Sequence, residues 1–311
     1  MGKPDFYTNR INKEMPADYK HLLDQPLYET MLELVTKYFE EKGELIVGLD
    51  KGFLTVEDDS GKEMKYGFDN LTRAFVAAKE EDRESIVYAH FNKVHFSESA
   101  YNFYFKDYEH AKPHLKVVVK HEEILQHKYG HDIVKRMDFP GTCTVLVFDY
   151  DNQLRFLRNV DVIEWKVSTD ELFSEALSNV ASEPVTASTL THPDGFTFYS
   201  FLSGDFAAAF MINLEANADF AMGEYGTLVA IPTKGAAFVS ALKDKDVMKR
   251  IAIIAPVVVE FFQKEPGNIT TDFYWYYKGR FDVFPTRNAG DGLVRVVLPS
   301  ALEVLLQSNE C

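Results

Sequence analysis

The chain has 311 residues, of which 46% are hydrophobic and 26% are charged, and these proportions are typical of a folded protein rather than a disordered one. Its formal net charge is −15, and a surface this acidic repels phosphate backbones and anionic lipid headgroups. The charge therefore argues against nucleic acid or a membrane as a partner and favours a protein with a basic surface. Acidity that serves solubility alone is the simpler interpretation.

The N-terminal residues contain no apolar stretch that could serve as a signal peptide. The most apolar run, 251–262, is interrupted by Pro256 and Glu260 and is too short to cross a bilayer. The sequence therefore predicts a cytoplasmic protein. Its only cysteines, Cys143 and Cys311, predict no disulfide framework, and the first of them begins an apolar run typical of a buried strand.

The N-terminal part of the chain predicts an arm followed by helices and one hairpin. Residues 1–24 are polar and lack periodicity, whereas Pro26 suits the first turn of a helix and Gly43 occupies its C-cap position. The elements predicted next are a strand at 45–47, a hairpin joining 53–56 to 64–66, and helices that begin at Asp69 or Asn70 and at Asp82.

The middle of the chain is mixed. Residues 96–131 contain a strand signal at 117–119 and five histidines, and residues 138–141 (Asp-Phe-Pro-Gly) interrupt the pattern. We take this interruption as the boundary between an N-terminal lobe at 25–140 and a C-terminal lobe at 141–311.

The C-terminal part begins with a hairpin that joins 143–148 to 154–157. Ser168 and Glu171 then form a capping-box pattern, which predicts the start of an amphipathic helix. The remaining predictions are strands at 196–201, 206–214 and 225–231, helical structure at 236–264 broken at Pro256, a hairpin joining 271–277 to 281–284, and a C-terminal helix from Ser300. Because strands cluster in hairpins, the predicted fold class is α+β with a mainly antiparallel sheet.

The segment around the capping-box helix resembles an element found in uncharacterised bacterial proteins. It has Trp165, a short turn that ends in Val167-Ser168, and a helix with Ala176 and Asn179. Residues 70–75 and 228–233 show a weaker similarity to the same proteins. The chain therefore resembles the YtpQ-like family (domain of unknown function 1444).

The chain departs from this family's pattern at two places. Lys166 stands where the family usually has glycine, and Lys234-Gly235 stands where Arg-Asp is expected. The resemblance implies no activity, because the family has no settled function to carry over.

The histidines of the middle segment are the strongest metal candidates in the sequence. His110 and His114 are four residues apart, as are His127 and His131, and this spacing suits zinc on a helix. However, Pro113 interrupts the first pair and Gly130 the second, and both residue types oppose a continuous helix. The sequence therefore predicts no metal site and no cofactor.

No catalytic motif is recognisable in the chain. Cys143 lacks the basic or helix-start surroundings that activate a thiol, and no serine lies in a Gly-x-Ser-x-Gly motif. The sequence favours a non-catalytic protein-binding or accessory role, and the alternative is a hydrolase whose site is assembled from dispersed residues.

One run of five aromatic residues, 273–277, predicts a binding surface for a partner protein if the strand is exposed. Tyrosine and tryptophan dominate binding hot spots, so the candidate binding residues are Tyr274, Trp275 and Tyr276. On a strand, Tyr274 and Tyr276 share one face and Trp275 lies on the other. The simpler alternative is that both faces of the strand are covered and belong to the core.

Overall fold

The computed structural model describes residues 11–50, 52–57, 61, 63–126, 130–150, 153–290 and 293–308. The chain divides into two compact units, Met1–Ala100 and Tyr101–Cys311. Every pairing between the described strands is antiparallel, and helices accompany the sheets in both units, so the α+β prediction is confirmed. None of the described helices is long and apolar enough to cross a membrane.

The first unit packs helices on a three-stranded sheet of order β1-β2-β3. Its helix α1 (Gln25–Lys42) begins where Asp24 accepts a hydrogen bond from the amide of Leu27 at 2.9 Å and ends at Gly43, whose φ of 75° matches the predicted C-cap. The other elements are β1 (Leu45–Asp50), β2 (Phe53–Glu57), β3 (Glu63–Gly67), α2 (Asp69–Ala77) and α3 (Arg83–Tyr104).

Two predictions for this unit need correction. Phe68, rather than Asp69 or Asn70, is the N-cap of α2, and it makes no side-chain cap bond. The described part of the predicted arm, 11–24, is also not a free tail, because Met15, Tyr19 and Leu23 are buried in the core of this unit. Residues 1–10 lie outside the described residues.

The second unit begins with a four-stranded sheet and the helices beside it. Its first elements are α4 (Tyr108–Ala111), β4 (Leu115–His121), β5 (Lys135–Arg136), β6 (Thr142–Tyr150), β7 (Gln153–Phe156), α5 (Asn159–Val162) and α6 (Thr169–Ala181). Strand β6 pairs with β4 on one side and with β5 and β7 on the other. Ser168 accepts the amide hydrogen of Glu171 at 3.2 Å, so the predicted N-terminus of α6 is confirmed.

The boundary predicted between residues 140 and 141 does not divide this structure. Strand β4 pairs with β6 along its whole length, and Phe139 is fully buried with its ring 4.2 Å from that of Phe281. Residues on both sides of position 140 therefore share one core, and the chain divides between Ala100 and Tyr101 instead.

A six-stranded antiparallel sheet forms the rest of the second unit. Its order is β13-β12-β10-β11-β9-β8. The elements are β8 (Thr186–Thr191), β9 (Thr197–Leu202), α7 (Ala207–Phe210), α8 (Leu214–Asn217), β10 (Thr227–Thr233), β11 (Ala236–Ala241), α9 (Val247–Lys264), β12 (Phe273–Tyr277), β13 (Arg280–Val283), β14 (Thr286–Gly290), β15 (Leu293–Val296) and α10 (Ser300–Ser308). One face of this sheet shares a core with β4, β6 and α6, and the other packs against α9 and α10.

Three predictions for this sheet region differ from the structure. The stretch 206–214 is helical rather than a strand, because its three successive alanines are strong helix formers. The stretch 236–241 is a strand rather than a helix. The prediction failed because a short buried apolar run cannot be assigned to helix or strand by its pattern alone. Helix α9 also continues through Pro256, which lies on its exposed side.

An exposed sheet edge as the candidate binding site

The structure buries the three aromatic residues proposed from the sequence as a binding surface. Tyr274, Trp275 and Tyr276 have exposed fractions of 0%, 3% and 4%. They lie on β12, which is flanked by β10 on one side and β13 on the other. The hypothesis that leaves Tyr274 and Tyr276 partly exposed is therefore corrected, and the core alternative describes this strand.

Both faces of β12 are covered because sequence-distant elements pack on each. Tyr274 packs beside Phe139 and donates a hydrogen bond from its hydroxyl to the carbonyl of Pro140 at 3.0 Å. On the opposite face, the indole Nε1 of Trp275 donates to the carbonyl of Tyr225 at 2.7 Å, and its ring stacks on Tyr277. The hydroxyl of Tyr274 and the indole of Trp275 thus each have a hydrogen-bond partner, as buried polar groups usually do.

The described histidines and Cys143 do not come together as a metal site or a catalytic site. Among the described residues, no three His, Cys, Asp or Glu side chains converge as metal ligands, and His127 lies outside those residues. His110 instead contacts Asp107, with 2.6 Å between Nδ1 and Oδ1. Burial raises the pKa of the Cys143 thiol, which keeps it protonated and unreactive near neutral pH. Cys311 lies outside the described part of the chain.

A small apolar void lies between the six-stranded sheet and α9. It is partly open, is too narrow to admit a water molecule, and is lined by apolar side chains such as Phe198, Phe238 and Ile254, together with Ser240. A void lined in this way offers no convergent set of polar groups to a hydrolase substrate.

The strongest candidate for a binding site is β8, which the sequence predictions missed. It is an edge strand of the six-stranded sheet, and all six of its residues, Thr186–Thr191, are exposed. It contains no charged residue and no proline, which are the residues that usually keep an edge strand from pairing with another chain. We call the unpaired backbone side of this strand the β8 edge.

Alternate backbone groups of β8 point away from the sheet. In an antiparallel ladder, the residues that bond to the neighbouring strand alternate with residues that do not. The amide of His192 donates to the carbonyl of Phe196 on the β9 side at 2.9 Å, so residues 190 and 188 also point toward β9. The backbone groups that point toward the β8 edge are those of Ala187, Thr189 and Thr191.

An ion cluster fixes the chain just before β8. The ammonium of Lys116 on β4 lies 2.5 Å from Asp149 Oδ2 and also pairs with Glu183, three residues before the strand begins. Burial lowers the pKa of Lys116, but the hydrogen bonds that its ammonium donates to Asp149 and Glu183 outweigh burial, so the net pKa is raised. The raised pKa keeps Lys116 charged, and the chain is held in place before the exposed strand begins.

A tight turn fixes the other end of β8. The amide of Gly195 donates to the carbonyl of His192 at 2.8 Å, and Gly195 has a φ of 84°. A three-residue loop that ends in a glycine of this conformation is a common hairpin connection, because glycine adopts positive φ at little cost. With both ends held, β8 keeps its extended conformation without burying a side chain.

The two faces beside the β8 edge differ in chemistry. Leu190 is 46% exposed and lies on the same face as Phe198, its partner on β9. On the other face, Thr189 pairs with Tyr199, whose ring lies 4.9 Å from that of Phe220. Phe220 is itself 49% exposed. A strand added at this edge would therefore meet one aliphatic and one aromatic neighbour.

The β8 edge lies within a long segment that carries no cationic side chain other than a histidine. Residues 167–233 contain no Lys or Arg. The carboxylates of this segment are Asp170, Glu171, Glu175, Glu183, Asp194, Asp205, Glu215, Asp219 and Glu224. Lysines from outside the segment pair with three of these carboxylates: Lys112 with Glu175, Lys116 with Glu183, and Lys234 with Asp205.

No protein-family model matches the chain, and comparisons with curated proteins and with solved structures find no match either. The resemblance to the YtpQ-like family therefore stays a prediction.

Proposed function

We propose that this protein is a non-catalytic binding protein that takes up an extended segment of a partner protein as an added strand at the β8 edge. In this mode of recognition, main-chain hydrogen bonds supply affinity and alternate side chains supply specificity. The observation that carries the proposal is that all six residues of β8 are exposed at a sheet edge, and that this strand contains no charged residue and no proline.

The backbone geometry of β8 supports this proposal. The amides and carbonyls of Ala187, Thr189 and Thr191 face outward at alternate positions, as the pairing of an incoming strand requires. Because the ion pair of Glu183 and the turn at Gly195 hold β8 at both ends, little ordering of this protein is needed on binding, and preorganisation of this kind favours affinity.

The test removes one outward donor while leaving the ladder to β9 in place. Peptides that bind the wild-type protein are selected from a displayed random library and then measured against Thr189→Pro and Thr189→Val. Proline at position 189 removes an outward amide, which an edge strand tolerates, whereas valine keeps that amide. We expect binding to be lost in Thr189→Pro and kept in Thr189→Val.

Amide hydrogen exchange provides the second readout. On binding, the amides of Ala187, Thr189 and Thr191 should become protected, while those of Ser188 and Leu190 are protected already in the free protein. Selected peptides that bind Thr189→Pro as tightly as wild type, without new protection at these three amides, would rule out strand addition at β8.

A further inference from the structure

We infer that the strand accepted at the β8 edge is a basic one, with Lys or Arg on one face and aliphatic side chains on the other. This inference rests on the proposed function and specifies the chemistry of the partner segment.

The charge around β8 is the first reason. After the lysine pairs to Glu175, Glu183 and Asp205 and the two carboxylates at the start of α6 are set aside, the remaining carboxylates include the exposed Asp194, Glu215 and Asp219. Asp194 lies 3.7 Å from Nδ1 of His192, which offsets its charge only when that imidazole is protonated. With no Lys or Arg in the segment, the local field favours an incoming cationic strand and disfavours an anionic one.

The position of two of these carboxylates is the second reason. Asp194 lies in the turn at the end of β8, and Asp219 adjoins Phe220, whose ring packs on Tyr199 next to Thr189. On this face, a long cationic side chain that crosses Thr189 reaches the rings of Tyr199 and Phe220, and Asp219 precedes Phe220 in the chain. Aromatic rings and carboxylates both attract cations.

The opposite face of β8 selects a different residue type. Leu190 is exposed there beside Phe198, while Thr186 and Ser188 are small and uncharged. An aliphatic side chain on this face of the added strand buries apolar surface against Leu190. Because side chains of a strand alternate between faces, the fitting sequence alternates basic and aliphatic residues.

A second copy of this chain fits the same edge poorly. Pairing β8 with its own copy would bring together two segments that carry nine carboxylates each and no Lys or Arg. Like charges brought together at an interface oppose association. The charge therefore selects a basic partner over self-association.

The experiment compares two synthetic peptides with the full chain, Val-Lys-Val-Lys-Val-Lys-Val and Val-Glu-Val-Glu-Val-Glu-Val, by fluorescence anisotropy. We expect the lysine peptide to bind about tenfold more tightly or better at low salt, with the difference shrinking at high salt because ions screen exposed charges. Thr189→Pro should abolish this binding.

The matched variants locate the charge effect. Asp194→Asn with Asp219→Asn should weaken binding of the lysine peptide several-fold. The control variant, Asp170→Asn with Glu171→Gln, changes the net charge by the same amount at the start of α6. This 13-residue helix is roughly 20 Å long and lies between the changed residues and β8 along the chain. The control should therefore weaken binding of the lysine peptide less.

The outcomes separate the two proposals. If both peptides bind equally and Thr189→Pro removes that binding, the basic-strand inference is overturned and strand addition at β8 stands. Binding of the lysine peptide that Thr189→Pro does not affect would overturn both. Failure of the lysine peptide to bind, or a dimer in sedimentation that Thr189→Pro dissociates, would also overturn the basic-strand inference.

Discussion

The two edge strands of the six-stranded sheet are built in opposite ways. Strand β13 has four residues, and its charged residues Arg280 and Asp282 form an ion pair at 2.7 Å, while Phe281 between them is buried. Strand β8 has six residues, none of them charged and none of them buried.

This difference shows what holds each strand in place. Strand β13 is fixed by packing of Phe281 against Phe139 and Tyr276, and its charges discourage further pairing. Strand β8 is fixed by its ladder to β9 and by contacts at its two ends. An edge that is held in place without side-chain burial keeps both its side chains and its backbone groups available.

The largest expected effect separates the two edges by stability. Phe281→Ala should lower the free energy of unfolding by about 3–5 kcal/mol, because it truncates a large buried ring. Leu190→Ala, the comparable change in β8, should stay within about 0.5 kcal/mol. Urea denaturation measures both, and similar costs at the two positions would show that β8 is covered.

The second prediction concerns the ion cluster that holds the start of β8. Lys116→Met leaves Asp149 and Glu183 without their cation and should destabilise the protein by about 1–3 kcal/mol. Lys112→Met removes the more exposed pair with Glu175 at 3.3 Å and should cost clearly less, because water screens an exposed ion pair. Equal losses would mean that the Lys116 cluster behaves as an ordinary surface pair.

The pH dependence of the Lys116 contribution follows from its raised pKa. A group whose pKa is higher in the folded state stabilises the fold below its unfolded pKa, and loses that contribution as the pH rises through the folded value. The Tm difference between wild type and Lys116→Met should therefore be constant near neutral pH. It should shrink only above the ordinary lysine value of 10.5. A decline that begins near neutral pH would contradict the raised pKa.

The third prediction tests the helix that leads to β8. Ser168→Ala removes the acceptor for the amide of Glu171 and should cost about 1 kcal/mol. Ser174→Ala, an exposed mid-helix change in α6, should be neutral or slightly stabilising. Chemical denaturation distinguishes the two, and an unchanged stability in Ser168→Ala would show that this cap contributes little.

The smallest expected effect on stability comes from giving β8 the charge that β13 carries. Thr189→Lys and Thr189→Glu keep the outward amide and should each change the free energy of unfolding by less than about 0.5 kcal/mol. Their effects on binding should be opposite: lysine weakens binding of the lysine peptide, and glutamate strengthens it. If the two variants bind that peptide alike, charge at this edge does not select the partner.

Local elements of this fold were predictable because their signals lie within a few residues. The cap at Ser168 acts over three positions, and the β12–β13 hairpin turns at Lys278 and Gly279, which both have positive φ. The signal for β8 was also present, as a threonine-rich stretch between Pro184 and the turn at 192–195. It was missed because the stretch lacks the apolar alternation by which strands are usually recognised.

The candidate site was less predictable than the elements. The aromatic run at 273–277 was recognised as a strand, but its exposure depended on residues far away, such as Pro140, which accepts the Tyr274 hydroxyl across 134 positions. The exposure of a strand depends on such distant contacts, which its own sequence pattern does not contain.

The sequence by itself determined the C-cap of α1, the N-cap of α6 and the hairpins β2–β3, β6–β7 and β12–β13. It also fixed the nine carboxylates of 167–233. Each of these depends on residue type or on neighbours along the chain. Only the tertiary structure decided the order of the strands. That order covers β12 on both faces and leaves β8 at an edge. The physical reason is that an exposed or a buried strand is defined by what packs beside it, and in this sheet those neighbours come from distant parts of the chain.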